Sequence, residues 1–292
     1  MPNKILTPSI IAREALMVLR NNAVMSQLVH RDYSTEFAKV GDTITIRKPA
    51  KFEAKEFEGE IEIQDANEVG VTVKMDTLLD VSFAVTSKEM SMDIEDFSRQ
   101  FLVPAMQAFN DKVDKILLAL EKELTNRVPH ASGVVAPGDL IAARKMLTKN
   151  AAPLTDRRFV CGATAEADLL GNEQFTNASA VGDEGTTLRE ASLGRKYGMD
   201  IYVDQNVDKV DATTAYTPSI AFHKNAFALV TRPMALPQGA KEAAIINYDG
   251  FGLRVVYGYD MKTKTDTVSI DMLCGAALLD DDLAAVIDDT RS

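Results

Sequence analysis

The chain has 292 residues, 46% of them hydrophobic and 26% charged, with a formal net charge of −11. That balance can bury a core sufficient for one or two domains. It offers no apolar run near the ~20 residues that a bilayer span needs, and it lacks the basic surplus by which a general nucleic-acid binder displaces counterions from phosphates.

At the N-terminus, Pro8, Arg13 and Glu14 interrupt any apolar stretch, so no signal peptide is expected. Cys161 and Cys274 are too few for a disulfide framework and fit a reducing cytoplasm. Residues 9–19 read as a short amphipathic helix with Ile10, Ala15, Leu16 and Leu19 on one side. Residues 24–37 have no clear period and read as an extended arm lying on other surfaces.

From Gly41 the period becomes two, and TITIR at 43–47 alternates as a half-buried strand does. KFEAKEFEGEIEIQDANE at 51–68 is a glutamate-rich, hairpin-like excursion. Its large apolar groups, Phe52, Phe57, Ile61 and Ile63, have too little company to form a core, so we expect them to make contacts between subunits. Strands are expected again at 69–75 and 79–85, which makes the excursion a β-arm projecting from a body.

Residues 92–127 carry apolar groups at Ile94, Phe97, Phe101, Ala105, Phe109, Val113, Ile116, Leu120 and Leu124, the stripe of one long helix. Asp93 is its expected N-cap, and Pro104 is expected to kink it. Glu95, Asp96, Arg99, Gln107, Asp111, Asp114, Lys115, Glu121 and Lys122 are assigned to the opposite, solvated or partner-facing side. Fully helical, the stretch would reach roughly 45–50 Å.

Beyond a linker at 129–138, Asp139 is expected to cap a helix over 140–149 with Leu140, Ala143 and Leu147 inward, and Pro153 to follow as a stop. A buried strand is expected at 158–161, a short helix at 164–170, a loop at 172–189, and a glycine turn followed by a strand within 194–203. Further elements, strand or helix, are expected at 220–230, 245–248, 251–259 and 267–273, and the acidic end from Asp280 is read as frayed. The order of elements favours α+β over a regular βαβ alternation.

Chemistry finds little foothold. His30, His130 and His223 lie far apart in sequence, and HExxH, CxxC and P-loop patterns are missing, so neither metal nor cofactor is expected. Cys161 with His223 as base would be a thiol dyad; the plainer reading of Cys161 is a small buried hydrophobe. The glutamates of 53–68 lack the EF-hand pattern and fit a solvated arm. Asp280, Asp281 and Asp282 fit an acidic end better than a cation site. GDEG at 182–185 is too short and acidic to cradle phosphate, and the Asn177 sequon has no secretion signal to give it meaning. No catalytic residue is assigned, which shifts weight toward a structural or interaction protein.

Four phrases carry a resemblance to the major capsid protein of tailed bacteriophages, the fold first seen in phage Hong Kong 97. IIAREALMVLRNNAVMSQLVHRDYSTEFAKVGDTITIRKP (10–49) resembles the opening of Podoviridae-type coat proteins of the Salmonella phage group. ARKMLTKNAAPLTDRRFVCGATAEADLL (143–170) resembles that family's peripheral helix and the strand leading into its axial domain. LREASLGRKYGMDIYVDQNV (188–207) and AFHKNAFALVTRPM (221–234) resemble two later passages.

The resemblance implies an α+β capsid fold in five parts. These are an N-arm (1–40), β-strands with an extended loop at 51–68 (41–92), a peripheral domain with the spine helix (93–152), an axial domain (153–248), and return strands with an acidic C-terminus (249–292). It implies a structural shell protein made in the bacterial host cytoplasm and placed in the virion. Its partners would be copies of itself in pentamers and hexamers, a separate scaffolding protein, a portal, and packaged DNA bound without sequence specificity. No membrane partner is implied. Lys51 and Lys55 lie in the loop, but no asparagine partner for a crosslink is identified. An encapsulin-like nanocompartment subunit shares the fold and stands as the alternative; a cytoplasmic thiol enzyme is the alternative from another class.

Overall fold

The computed structural model describes residues 11, 13–15, 24–31, 43–47, 70–86, 103–129, 134–176, 191–207, 216–239, 242–248 and 251–290. Ile11 and 13–15 are helical, with Ile11 and Ala15 buried. The expected extended arm instead contains a helical turn, α1 (Met25–Leu28), whose Met25, Ser26 and Leu28 are buried. His30 then bridges to Ala228, exchanging hydrogen bonds with Phe227 and Leu229. This segment finds its cover on its own chain.

Strands β1 (Thr43–Arg47) and β2 (Gly70–Lys74) pair antiparallel, from Thr43↔Lys74 to Arg47↔Gly70. β3 (Thr77–Thr86) follows, with the alternating burial its sequence predicts. Helix α2 (Val103–Ala119) covers the described part of the long helical stretch, and a 3-10 turn over Leu120–Glu123 ends it. Asp93 and the rest of 92–102 lie outside the described residues, and Pro104 sits in the first described turn of α2.

Two expectations for α2 are corrected. It stops short of Arg127 because tertiary partners take its last backbone groups. Thr125 N–H donates to the Asp281 carboxylate at 3.0 Å, and the Asn126 carbonyl accepts from Val286 N–H at 2.9 Å. Arg127–Val128 is thereby drawn out as strand β4. Its buried surface is also wider than one stripe. Ala105, Phe109, Val113 and Leu117 form one row; Met106, Asn110, Asp114, Leu118 and Glu121 form a second. Asp114 and Glu121 therefore belong to the interior: α1, β3 and strand β12 (Thr265–Leu278) pack on α2, β12 also approaches the 3-10 turn, and Arg127 Nη2 donates to Glu121 Oε2 at 3.4 Å.

Helix α3 (Pro137–Lys149) begins two residues before Asp139. Ala136 is its N-cap residue, and the Asp139 carboxylate reaches back to the Ala136 N–H at 2.8 Å, satisfying an end donor from the third helical position. Leu140, Ala143 and Leu147 face inward as expected. At its C-terminal end the buried guanidinium of Arg157 donates to the carbonyls of Pro153 and Ala152, each at 2.7 Å, and to Thr148 Oγ1 at 3.0 Å. Strand β5 (Arg157–Cys161), helix α4 (Ala163–Leu170) and the turn α5 (Glu173–Thr176) come next. β6 (Arg195–Lys196) and β7 (Met199–Val203) form a hairpin through Tyr197 (φ 50°) and Gly198 (φ 76°). Two successive positive φ values are what a type I′ turn requires, which favours glycine. β8 (Tyr216–His223), β9 (Phe227–Arg232), β10 (Glu242–Tyr248), β11 (Phe251–Asp260), β12 (Thr265–Leu278) and β13 (Ala284–Thr290) complete the chain.

β12 organises the first large sheet. β3 runs along one of its edges, while β11 and then β9 share the other, and β10 pairs outside β11. The second sheet has the order β4-β13-β8-β5-β7-β6, with β4–β13 and β5–β7 parallel and the other pairs antiparallel. Its central strands β13, β8 and β5 are buried on both faces. Val160, Ile220, Phe222, Ala284 and Val286 join the core around α2, while Phe159, Cys161, Ala221, Ala285 and Ile287 pack with α3 and α4.

The acidic end is therefore not frayed. Asp281 clamps Thr125, and β13 lies between β4 and β8, held by the apolar run Ala284–Ile287, which is wholly buried. Strand pairing also interleaves the ranges read from sequence. α3 packs on the second sheet, as shown by its neighbours β13 and β8, whereas β9 and β10 belong to the first.

Candidate assembly interface

Phe52, Phe57, Ile61 and Ile63 lie outside the described residues; the base on which they stand does not. The β1–β2 ladder begins at Arg47↔Gly70, so residues 48–69 leave and return at one point. Ile46, Val73 and Met75 turn inward onto Ala228, Val230, Leu273 and Leu279, forming a small core of their own beside β9 and β12. Thr43, Thr45 and Lys74 face outward. β2 crosses β12 so closely that a Cβ at Gly275 would sit 2.2 Å from the Lys74 carbonyl oxygen. The base is thus fixed to the body by apolar burial and by a backbone crossing that only glycine permits.

The hairpin between β11 and β12 is a second exposed feature. Asp260 turns its tip by accepting the Lys262 N–H at 2.8 Å, and this bond holds its carboxyl below the usual range. Tyr259 and Met261 stand at the tip, with Met261 80% exposed. Leu78 on β3, Ile245 on β10 and Leu236 after β9 are further exposed apolar groups, as are Val134, Ile141, Leu154 and Tyr202.

The thiol dyad is not assembled. Register sets His223 opposite Arg157, four positions along β5 from Cys161, or about 13 Å at ~3.3 Å per residue. Cys161 is buried with its Sγ toward the Tyr202 carbonyl at 3.6 Å. His223 accepts the Asn225 N–H through Nδ1, and burial lowers its pKa, partly opposed by Asp156. Cys274 is buried on β12, where burial and then Asp76 push its thiol up to about 12. Asp280 and Asp281 are engaged in the turn before β13. Among the described residues, no group of three or more His, Cys, Asp or Glu side chains is placed to hold a metal ion, and no helix is long and apolar enough to cross a membrane. GDEG, the Asn177 sequon and His130 lie outside the described residues.

One feature escaped the sequence reading: the buried carboxyls Asp114 and Asp204, beside Asn206. The signal was present as a second row on α2, Met106–Asn110–Asp114–Leu118, half polar and half apolar.

No family model matches the sequence, and no curated protein matches it. Solved structures do match, by fold. A structure of Mycobacterium phage Che8 aligns with a TM-score of 0.70 at 17% identity over 91% of each chain. The capsid structure of cyanophage P-SCSP1u aligns at 0.63 and 13% identity over 91% of this chain and 87% of that one. The holo-SrpI encapsulin complex from Synechococcus elongatus PCC 7942 aligns at 0.54 and 12% identity over 99% of this chain and 92% of that one. The α+β fold expected from the sequence is the fold of these chains.

Proposed function

We propose that this chain is a structural shell subunit, the major capsid protein of a tailed bacteriophage, copies of which close into the icosahedral head around DNA. The observation that carries the reading is the fold likeness to phage structures over nearly the whole chain, the P-SCSP1u capsid structure among them. Its role is assembly, with no reaction to catalyse.

In this reading the second sheet with α3 and α4 forms the axial module, whose loops meet at local five- and sixfold centres. The first sheet with α2 forms the peripheral module. Such rings use heterologous contacts that close by rotation, and a long arm adds buried area between neighbours without enlarging either core. Residues 51–68 are that arm, and Phe52, Phe57, Ile61 and Ile63 dock on the next subunit. A separate scaffolding protein and a portal assist assembly, and the packaged DNA is contacted without sequence specificity, as the acidic balance favours.

The SrpI likeness supports a second reading, an encapsulin-like compartment subunit. Electron microscopy of the protein produced with its neighbouring genes separates the readings. Closed shells together with terminase and portal genes support the phage head; closed shells beside a cargo-enzyme gene support the compartment; monomers or small oligomers alone refute both. The arm has its own test. Phe52→Ser with Phe57→Ser is expected to leave the subunit folded by circular dichroism and to abolish closed shells on a sizing gradient, and normal shells would refute the docking role.

A further inference from the structure

The outward side of α3 is basic, in a chain whose net charge is −11. Leu140, Ala143 and Leu147 face inward, which leaves Ile141, Arg144, Lys145, Thr148 and Lys149 exposed. Arg144 turns toward the β6–β7 hairpin. Its Nη1 donates to the Tyr197 carbonyl at 2.5 Å and lies against Gly198, where an added Cβ would come within 3.1 Å of it. That tie sets Arg195 and Lys196 of β6 beside the helix. Three neighbouring carboxylates are engaged elsewhere: Asp139 accepts the Ala136 N–H, Asp168 accepts the Val135 N–H, and Asp200 pairs with Arg195 at 3.7 Å. Among the described residues no carboxylate pairs with Lys145 or Lys149.

The layers of the molecule turn this basic face away from the arm of its own chain. Leu140, Ala143 and Leu147 share a core with Phe159, Ala221 and Ala285, whereas Val160, Ile220 and Val286 of the same strands face the core around α2. In the first sheet, Phe227, Leu229 and Met272 face that α2 core, while Ala228, Val230 and Leu273 face β1 and β2, the base of the arm. Both sheets thus stand between α3 and the base from which residues 48–69 depart.

Resting on the shell-subunit reading, we propose that the basic face of α3 is the seat of the acidic arm, residues 51–68, of a second copy of the chain. That segment carries seven carboxylates against two lysines. Glu58, Glu60 and Glu62 recur at every second position, about 6.6–6.8 Å apart along an extended chain. Lys145 and Lys149 stand one helical turn apart, about 6 Å along the axis. Two successive carboxylates of an extended arm therefore meet both lysines at once. Ile141 (49% exposed) and Leu154 (61% exposed) flank the basic stretch. They offer a phosphate backbone nothing, but they suit a segment that also carries Phe57, Ile61 and Ile63. Complementary charge of this kind selects the partner and fixes its register.

Charge reversal and its repair test the seat, with closed shells of the full chain measured on a sizing gradient. Lys145→Glu with Lys149→Glu should lower the yield of closed shells by about tenfold or more, since like charges set face to face are costly, and should leave the circular dichroism unchanged. Glu60→Lys with Glu62→Lys should do the same, and the chain carrying all four changes should recover most of the yield. Recovery upholds the seat. Wild-type shells indifferent to the reversals, or reversals that never repair one another, overturn it and leave the shell reading standing. Lysines that hold nucleic acid instead would show in that second way, with nucleic acid released by the α3 reversal and no repair by the arm. A wild type that forms no closed shell overturns both readings. If the reversed chains do not fold, carbodiimide coupling of wild-type shells assembled from isotopically heavy and light subunits decides. Links from Lys145 or Lys149 to arm glutamates in mixed-isotope pairs uphold the seat; no such links, or links within one chain only, overturn it.

Discussion

Gly275→Ala puts the anchoring of the arm to a direct test. The added Cβ would meet the Lys74 carbonyl oxygen at 2.2 Å, the Lys74 carbonyl carbon at 3.0 Å and Met75 Cα at 3.2 Å. All three are backbone atoms, so no side chain can rotate away. Relief requires β2 to lift from β12 by about 1 Å, the gap between this contact and normal carbon–oxygen separation. That movement parts Val73 and Met75 from Val230 and Leu273. Overpacking of this kind costs about 1–3 kcal/mol, and in a chain of this size each kilocalorie lowers Tm by roughly 2–4 °C.

Gly258→Ala is the matched control: it lies on β11, its added Cβ meets nothing within 4 Å, and a strand interior favours alanine over glycine by ~0.5–1 kcal/mol. Thermal unfolding followed by circular dichroism should separate the two by several degrees, and shell yield should fall only for Gly275→Ala. Equal Tm values would refute the close crossing and, with it, the rigid base assigned to the arm.

The half-buried Arg254 and buried Asp271, joined by Nε–Oδ1 at 2.9 Å and Nη2–Oδ2 at 2.5 Å, also tie β11 and β12 to the Ala235 carbonyl beyond β9. Arg254→Ala strands the buried carboxylate and should cost about 3–5 kcal/mol in urea unfolding, while Arg254→Met with Asp271→Leu should recover most of it; equal losses in both would count against the pair. Both cysteines are buried and Cys274 is a very weak acid, so the native chain should react with a thiol reagent far more slowly than the urea-unfolded chain. A native thiol that reacts as fast as free cysteine would contradict both placements and reopen the enzyme reading.

Local pattern was enough for the elements whose neighbours are near in sequence. The alternation of TITIR and GVTVK foretold β1 and β2, and the spacing of Leu140, Ala143 and Leu147 foretold the inner side of α3, because one face of each meets the core and the other meets water. Ordered phrases along the chain pointed to the α+β capsid fold. What sequence could not reach depends on partners far along the chain. β13 looked like an acidic tail because its apolar run is short; pairing with β8 and β4 makes it an interior strand. Asp114 and Glu121 were assigned to a solvated or partner-facing side because the second buried row exists only once α1, β12 and Arg127 pack there. The apolar run at 220–230, which spans β8 and β9, carries no period of two, so it could not be told from a helix. Periodicity records how one element divides its faces between core and water. When both faces are covered, only the tertiary contacts decide which residues are inside.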